Sequence, residues 1–123
     1  MKSCVFCEKL KYEAFMQNEH AYAVFDAFPV GKGHALIIPH RCFANFFDAT
    51  QEEKAAILDL LDKVKAKLDT EHAPDAYNIG INCGAEAGQT VFHLHVHLIP
   101  RYKGDMDDPR GGVRGVIPSK QKY

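Results

Sequence analysis

Three histidines alternate with hydrophobic residues within residues 91–99, and they are His93, His95 and His97. Because successive side chains of a strand point to opposite faces, a strand here would hold the imidazoles on one face and the intervening aliphatic side chains in a core. Neutral imidazole is a ligand for zinc and iron, and it is also a nucleophile toward phosphorus and carbonyl carbon. The row therefore predicts either a metal site or nucleophilic catalysis.

The loop before the histidines favours nucleophilic catalysis at phosphorus. It contains Gly84, Gly88, Gln89 and Thr90. Backbone N–H groups made accessible by glycine, together with an amide and a hydroxyl, are groups that hold a phosphate. The loop is not a Walker-type P-loop, since no Gly-Lys-Ser/Thr sequence follows it. A catalytic metal ion held by all three histidines is the weaker alternative.

The chain also contains four cysteines, which are Cys4, Cys7, Cys42 and Cys83. No apolar signal-peptide region follows Met1, so we expect a cytoplasmic protein, in which thiols stay reduced. A disulfide framework is therefore not expected, and metal ligation, catalysis or burial are left to explain the cysteines. The pair Cys4 and Cys7, separated by two residues, is the informative one.

Length and composition limit the class of protein. The chain has 123 residues and a net charge of −1, and 46% of its residues are hydrophobic. These values predict one globular domain. The near-neutral charge disfavours binding to a nucleic-acid backbone, and no apolar run reaches the ~20 residues that span a bilayer. We therefore expect a small-molecule ligand, and neither nucleic acid nor a membrane as a partner.

The elements that must position these residues follow from the hydrophobic pattern. Apolar residues at three- and four-residue spacing predict a long helix near residues 51–70, begun by a capping box of Thr50 and Glu53. A short N-terminal helix is predicted at residues 7–16. Strands are predicted at residues 21–25, 35–38, 77–81 and 91–99. The first two strands form a hairpin, and the fold class is α+β.

Residues 87–101 resemble the signature of the histidine-triad (HIT) superfamily, in which three histidines alternate with hydrophobic residues. Further matches are Phe25-Asp26, Gly33-His34, residues 36–39 and Asn82. The resemblance implies an antiparallel sheet of about five strands with one long helix and a short N-terminal helix. It also implies a homodimer across which the sheet continues.

Within this fold we assign residues 1–100 to the HIT domain and residues 101–123 to a C-terminal arm of the same domain. The arm is rich in Gly and Pro and carries six basic and three acidic residues. By analogy with the family it would reach the active site of the other subunit, with Arg110 or Arg114 near the distal phosphates of a substrate. A tail that packs on the protein surface is the alternative.

The activity that the resemblance implies is that of a nucleotide hydrolase. It would act on the α-phosphate of dinucleoside polyphosphates or nucleoside phosphoramidates through a covalent nucleotidyl-histidine such as AMP-His. His95 would be the nucleophile. His97 would contact the phosphate and help to move a proton to the leaving group, and His93 would orient the row. The alternative is a catalytically weak protein that binds purine nucleotides or serves as a scaffold.

The resemblance also implies a binding site for a purine nucleotide that contains AMP. Phosphate oxygens would be held by polar side chains, the ribose hydroxyls by a carboxylate and the base by phenylalanine rings. The phosphate contacts would come from Asn82, Gln89 and Thr90, the ribose contact from Asp26, and the base contacts from Phe25 and Phe6. No organic cofactor is implied.

A structural zinc ion is implied as well. Many bacterial members of the family bind zinc through a Cys-x-x-Cys pair, a histidine just after the Ile-Pro of the second predicted strand and the first histidine of the triad. This chain has Cys42 in place of the intermediate histidine. Because thiolate is as good a zinc ligand as imidazole, the resemblance implies a tetrahedral site of Cys4, Cys7, Cys42 and His93, with His40 as the alternative to Cys42.

Overall fold

The computed structural model describes residues 4–123. Across these residues it contains two α-helices and five strands, with the bounds α1 Val5–Tyr12, β1 Met16–Gln17, β2 Ala21–Phe25, β3 Ala35–Pro39, α2 Gln51–His72, β4 Ala76–Gly80 and β5 Val96–Arg101. The predicted α+β class, with one long helix, a short N-terminal helix and a sheet of five strands, is confirmed.

The strands form one antiparallel sheet in the order β1-β2-β3-β5-β4. The predicted hairpin of β2 and β3 is present, with Val24 opposite Leu36. Because β5 lies between β3 and β4, His97 has Leu36 on one side and Gly80 on the other. His97, near the beginning of β5, is therefore central in the sheet, and His93 and His95 lie in the segment just before this strand.

Helix α2 covers one face of the sheet. Thr50 and Glu53 form the predicted capping box, and Ala73 ends the helix with a left-handed φ of 46°. The apolar face of α2 packs against aliphatic residues of three strands, which removes that surface from water. The resulting core consists of Ala21, Ala23, Ala35, Ile37, Ile57, Leu60, Leu61, Val64, Leu68, Leu94, Val96 and Leu98.

Helix α1 covers part of the opposite face. The Cys4 side chain caps its first turn by accepting a hydrogen bond from the Cys7 N–H. Phe6 packs in a second cluster with Tyr22 and Leu36, and the Tyr22 hydroxyl donates to the Phe6 carbonyl. Since α1 is only eight residues long, it leaves the rest of this face uncovered.

Three features of the chain differ from the predicted elements. The N-terminal helix begins and ends earlier than residues 7–16, because the Cys4 cap starts it at Val5. The strand β1 was not predicted; its two residues pair with β2 in the region where the helix was expected to end. The last strand begins at Val96 instead of residue 91, because Leu94 donates its N–H to the Phe43 carbonyl at 2.7 Å and not to a neighbouring strand.

The C-terminal arm has two 3-10 turns, Gly112–Val116 and Pro118–Lys120. It begins at Arg101, whose guanidinium donates to both carboxylate oxygens of Asp105 at 2.8 Å and to the Asn78 amide oxygen at 2.7 Å. Within residues 4–123, no helix combines the length and the apolar character that crossing a bilayer requires.

Candidate active site

A cavity of about 550 Å³ lies on the sheet face that α1 leaves open. This volume falls within the range of small-molecule sites, which is ~300–1,000 Å³. Its polar lining comes from the end of β2, the turn before β3, the loop of residues 82–90 and the segment that leads into β5. The polar lining residues include Asp26, His34, Asn82, Thr90, His95 and His97.

His95 offers an unprotonated nitrogen to the cavity. Its Nδ1 lies 2.8 Å from the backbone carbonyl oxygen of His93. A carbonyl can only accept a hydrogen bond, so a neutral His95 must carry its proton on Nδ1 and keep its lone pair on Nε2. The ring is held further by Phe6, whose ring centroid is 4.8 Å away in an edge-on arrangement. In this tautomer Nε2 of His95 has the lone pair that a nucleophile needs.

His97 has the opposite tautomer, which a chain of hydrogen bonds determines. The Val30 N–H donates to Nδ1 of His34 at 3.0 Å, so a neutral His34 carries its proton on Nε2. Nε2 of His34 lies 3.0 Å from Nδ1 of His97 and donates to it. His97 is therefore left with its proton on Nε2, as a hydrogen-bond donor.

Burial keeps the hydrogen-bonded rings of His34 and His97 neutral at physiological pH. Burial, followed by the nearby rings of His95 and His34, lowers the pKa of His97 to about 4. Burial also lowers the pKa of His34, and the Asp26 carboxylate only partly opposes that effect. A nitrogen lone pair on His95 and an N–H on His97 thus stand side by side, on rings whose centroids are 5.1 Å apart. That arrangement suits attack on an electrophile that carries negative oxygens.

Asp26 lies at the edge of the cavity, where it also shapes the turn between β2 and β3. Its Oδ1 accepts a hydrogen bond from the Phe28 N–H at 2.8 Å, and its Oδ2 is 3.5 Å from Nε2 of His34. Ligating atoms of Asp26, His34 and His97 all lie within 4.8 Å of one another, a spacing that a cation could use. The hydrogen-bond chain already occupies the nitrogens of His34, which favours the metal-free arrangement.

The predicted phosphate-binding residues of the loop 82–90 do not all face the cavity. Asn82 and Thr90 line the cavity. Gln89 is buried and does not line it: its Oε1 accepts from the Gly84 N–H at 2.8 Å, and its Nε2 donates to the Ala44 and Val91 carbonyls. The Gln89 side chain therefore fixes the shape of the loop.

The two predicted phenylalanines also have different positions. Phe6 lines the cavity, whereas Phe25 does not and instead stacks on Phe15 with ring centroids 4.3 Å apart. Sequence reasoning missed Lys9 and Phe28, which do line the cavity. Neither residue belongs to one of the sequence motifs, and the packing of α1 and of the turn brings them to the cavity.

The cysteine cluster lies beside the cavity and includes His93. Sγ of Cys4 is 3.1 Å from Sγ of Cys7, 3.8 Å from Sγ of Cys42 and 3.1 Å from Nδ1 of His93. The ligating atoms of the four residues all lie within 4.8 Å of one another. For comparison, two sulfurs on a tetrahedral zinc ion with Zn–S bonds of about 2.3 Å would be about 3.8 Å apart. The four residues fit a metal site.

The donor chemistry of this cluster also fits a cation. Nε2 of fully buried His93 lies 2.8 Å from the Pro39 carbonyl and must donate to it, which leaves Nδ1 unprotonated toward the thiols. Hydrogen bonding to Cys4 and burial raise the pKa of Cys7 to about 12. The Cys7 thiol therefore keeps its proton unless a bound cation compensates the negative charge of the thiolate. His40 is elsewhere, with Nε2 at 3.0 Å from the Asn18 carbonyl, so Cys42 is the ligand that the structure brings to the cluster.

The triad is thus split between two sites. Nδ1 of His93 faces the cysteines, while Nδ1 of His95 and of His97 are bonded to a carbonyl and to His34. This arrangement contradicts the alternative in which all three histidines bind one catalytic ion.

Comparison with known proteins places this arrangement in a family. The sequence profile described as the HIT domain matches residues 8–104. The chain belongs to the HIT family. The Cys-x-x-Cys pair expected of bacterial HIT proteins is present at Cys4 and Cys7.

Individual HIT relatives agree with this assignment. An uncharacterized HIT-like protein of Mycoplasma genitalium is 39% identical over 105 residues, which cover 82% of this chain and 74% of that protein. The asymmetrical bis(5'-nucleosyl)-tetraphosphatase of Schizosaccharomyces pombe is 35% identical over 96 residues, covering 78% of this chain and 53% of that enzyme.

A solved structure shows the same fold. It is that of a zinc-bound histidine triad family protein from Mycobacterium smegmatis, with a TM-score of 0.75 and 32% identity. The match covers 84% of this chain and 78% of that one. The HIT-like fold expected from the sequence is confirmed.

Proposed function

We propose that this HIT protein is a nucleotide hydrolase that cleaves dinucleoside polyphosphates or nucleoside phosphoramidates at the α-phosphate. The observation that carries the proposal is the tautomer of His95, whose Nδ1 is held by the His93 carbonyl so that Nε2 keeps its lone pair in the cavity. The name of the tetraphosphatase relative supports the same class of reaction.

In the first step, Nε2 of His95 attacks the α-phosphorus and a P–N bond forms. The P–O bond of the anhydride, or the P–N bond of the phosphoramidate, breaks, and its electron pair leaves with the departing group. The attacking imidazole of His95 gains positive charge, which the His93 carbonyl stabilises through its hydrogen bond from Nδ1–H. The Nε2–H of His97 donates toward the negative charge that develops at phosphorus or at the leaving atom.

In the second step, water attacks the phosphorus of the nucleotidyl-histidine. The bond from phosphorus to Nε2 breaks, its electrons return to the imidazole, and a nucleoside monophosphate is released. The proton lost by water passes to solvent or to the phosphate. His95 is then restored in its original tautomer, because the His93 carbonyl still holds Nδ1–H.

The rest of the cavity provides contacts for a purine nucleotide. We assign the phosphate oxygens to Asn82 and Thr90, the ribose hydroxyls to the Asp26 carboxylate and one face of the base to Phe6, all of which line the cavity. A carboxylate suits a cis-diol because it can accept from two hydroxyls. Gln89 serves this site indirectly, by holding the loop.

We further propose that Cys4, Cys7, Cys42 and His93 hold a structural zinc ion, which would cross-link α1 to the segment that carries the catalytic histidines. The spacing of the donor atoms and the zinc-bound relative support this assignment. Reduced thiols of this kind are typical of a cytoplasmic protein. Phe6 lies between two of the ligands in sequence, so the same cross-link would hold Phe6 against His95.

We also propose a homodimer in which residues 1–100 form the HIT domain and the arm of residues 101–123 belongs to it. The edge strand β4 exposes Ile79, and the arm exposes Val113, Val116 and Ile117. An open edge strand and exposed apolar side chains beside it favour pairing with a second copy. Arg110 and Arg114 of the arm would then be available to distal phosphates.

The test of the proposed function is intact-protein mass spectrometry after mixing with diadenosine tetraphosphate or an adenosine phosphoramidate. We expect one covalent nucleotidyl group on the parent protein and none on His95→Ala. His20→Ala is the matched control, since His20 lies outside the cavity, and it should still form the adduct. A parent that binds nucleotide but shows neither adduct nor turnover would contradict the proposal and favour a nucleotide-binding or scaffold protein.

A further inference from the structure

One cation lines the catalytic cavity and has no part in the proposed chemistry. Among the described lining residues, Lys9 of α1 is the one lysine or arginine. Its side chain is only 14% exposed. Lysine side chains are seldom so covered without a partner for the ammonium group. The ammonium group of Lys9 is therefore expected to have a partner.

The partner within the chain is Glu13, one helical turn further along. Nζ of Lys9 lies 3.1 Å from both Oε1 and Oε2 of Glu13. Glu13 is about half exposed and does not line the cavity. An ammonium group has three N–H donors, so the ion pair leaves Lys9 able to donate to a ligand in the cavity. Of this pair, Lys9 is in the described cavity lining and Glu13 is not.

The position of Lys9 indicates which part of a nucleotide it would meet. The phosphate-binding groups lie on the loop of residues 82–90 and on the histidine segment, whereas Lys9 is on the α1 wall with Val5 and Phe6. Phe6 touches the His95 ring and packs against Leu36 below. A nucleotide whose phosphate is at His95 and whose base lies on Phe6 would turn an edge of the base toward the next turn of α1.

We infer that Lys9 is a specificity-determining residue that reads the purine edge and favours 6-oxopurines over adenine. Guanine and hypoxanthine present two adjacent acceptors, O6 and N7, to a lysine donor. Adenine presents the N6 amino group, a donor, in place of O6, and so loses one acceptor and places N–H against a cation. The inference rests on the proposed function and narrows its purine, away from the adenine nucleotide that the family resemblance implies.

The experiment is calorimetric titration of the parent with inosine, guanosine and adenosine 5'-monophosphates. Inosine and adenosine monophosphates make a matched pair, because they differ at the six-position edge. We expect the two 6-oxopurine nucleotides to bind about tenfold more tightly than adenosine monophosphate. Lys9→Met should remove that difference, and Lys9→Arg should retain it.

A lysine of the other helix provides the control for losing a helical ion pair. Lys63 pairs with Asp59 at 3.0 Å, four residues apart, and lies outside the cavity. We expect Lys63→Met to keep the parent's preference. Thermal melting of Lys9→Met and Lys63→Met would show that both variants fold.

The possible results are distinguishable. Equal affinity of the parent for all three nucleotides would overturn the inference and leave the hydrolase proposal intact. Equal weakening of all three by Lys9→Met would also overturn it, because it would place the ammonium on a phosphate. Binding of none of them would count against the proposed function itself.

Discussion

His93 and His95 are two residues apart, yet their rings serve different sites. The Pro39 carbonyl holds Nε2 of His93, and Nδ1 faces the cysteines. The His93 carbonyl holds Nδ1 of His95, and Nε2 stays free for the cavity. The residue type is the same in both places. The backbone acceptor that each ring finds decides which nitrogen keeps its lone pair, and with it which chemistry the ring performs.

Removing each ring in turn should give the largest effects and shows whether the two rings serve different sites. We expect His95→Ala to lose turnover by about 10⁴-fold or more, because it removes the proposed nucleophile, and to bind the proposed zinc ion as the parent does. His93→Ala should lose the metal and melt at a lower temperature, since it removes a ligand and leaves the Pro39 carbonyl unpaired. Steady-state kinetics and metal analysis on both variants provide the measurement. Loss of metal in His95→Ala would contradict the division into two sites.

Gln89 and Thr90 are neighbours on the loop of residues 82–90, yet Thr90 lines the cavity and Gln89 does not. Gln89→Ala should lower the free energy of unfolding by about 1–3 kcal/mol, because the Gly84 N–H and the Ala44 carbonyl lose their partner. Thr90→Ala should leave stability near that of the parent and lower kcat/KM by about tenfold, through loss of a phosphate contact. Urea unfolding and kinetics of both variants test this. The reverse pattern, with Thr90→Ala the less stable variant, would show that the two roles are exchanged.

A smaller effect is expected from the titration of His97, whose half-buried ring faces the cavity. The folded protein lowers the pKa of His97 to about 4 from an ordinary value of 6.5. Between those two values the unfolded chain binds more protons than the folded one, so the free energy of unfolding falls as pH decreases from about 6.5 to 4. His97→Gln should show a shallower decrease than the parent. A slope identical to that of the parent would refute a neutral, half-buried His97.

Helix α2 and the membership of the cysteine cluster could be predicted from the sequence. The capping box at Thr50 and the spacing of its apolar residues are local features, so helix α2 followed from them. The ligand set with Cys42 could be predicted because spacing and side-chain chemistry suffice to nominate a zinc ligand. In the structure Cys42 lies with Cys4, Cys7 and His93, at a spacing that could hold a metal ion, and His40 does not.

What could not be predicted depends on backbone groups distant in sequence. The strand pattern placed all three histidines on one face, but the Phe43 carbonyl takes the Leu94 N–H and turns the chain before β5. Gln89 has the composition of a phosphate ligand, and only the fold shows that its amide is used inside the protein. The position of Lys9 at the cavity likewise depends on where α1 docks.

The most direct test of the account is the tautomeric state of the three triad histidines. Long-range nitrogen–proton NMR correlation on ¹⁵N-histidine-labelled protein at neutral pH distinguishes a protonated Nδ1 from a protonated Nε2, and single variants assign the rings. We predict a proton on Nδ1 of His95 and on Nε2 of both His93 and His97. A proton on Nε2 of His95 would occupy the proposed nucleophile and contradict the account.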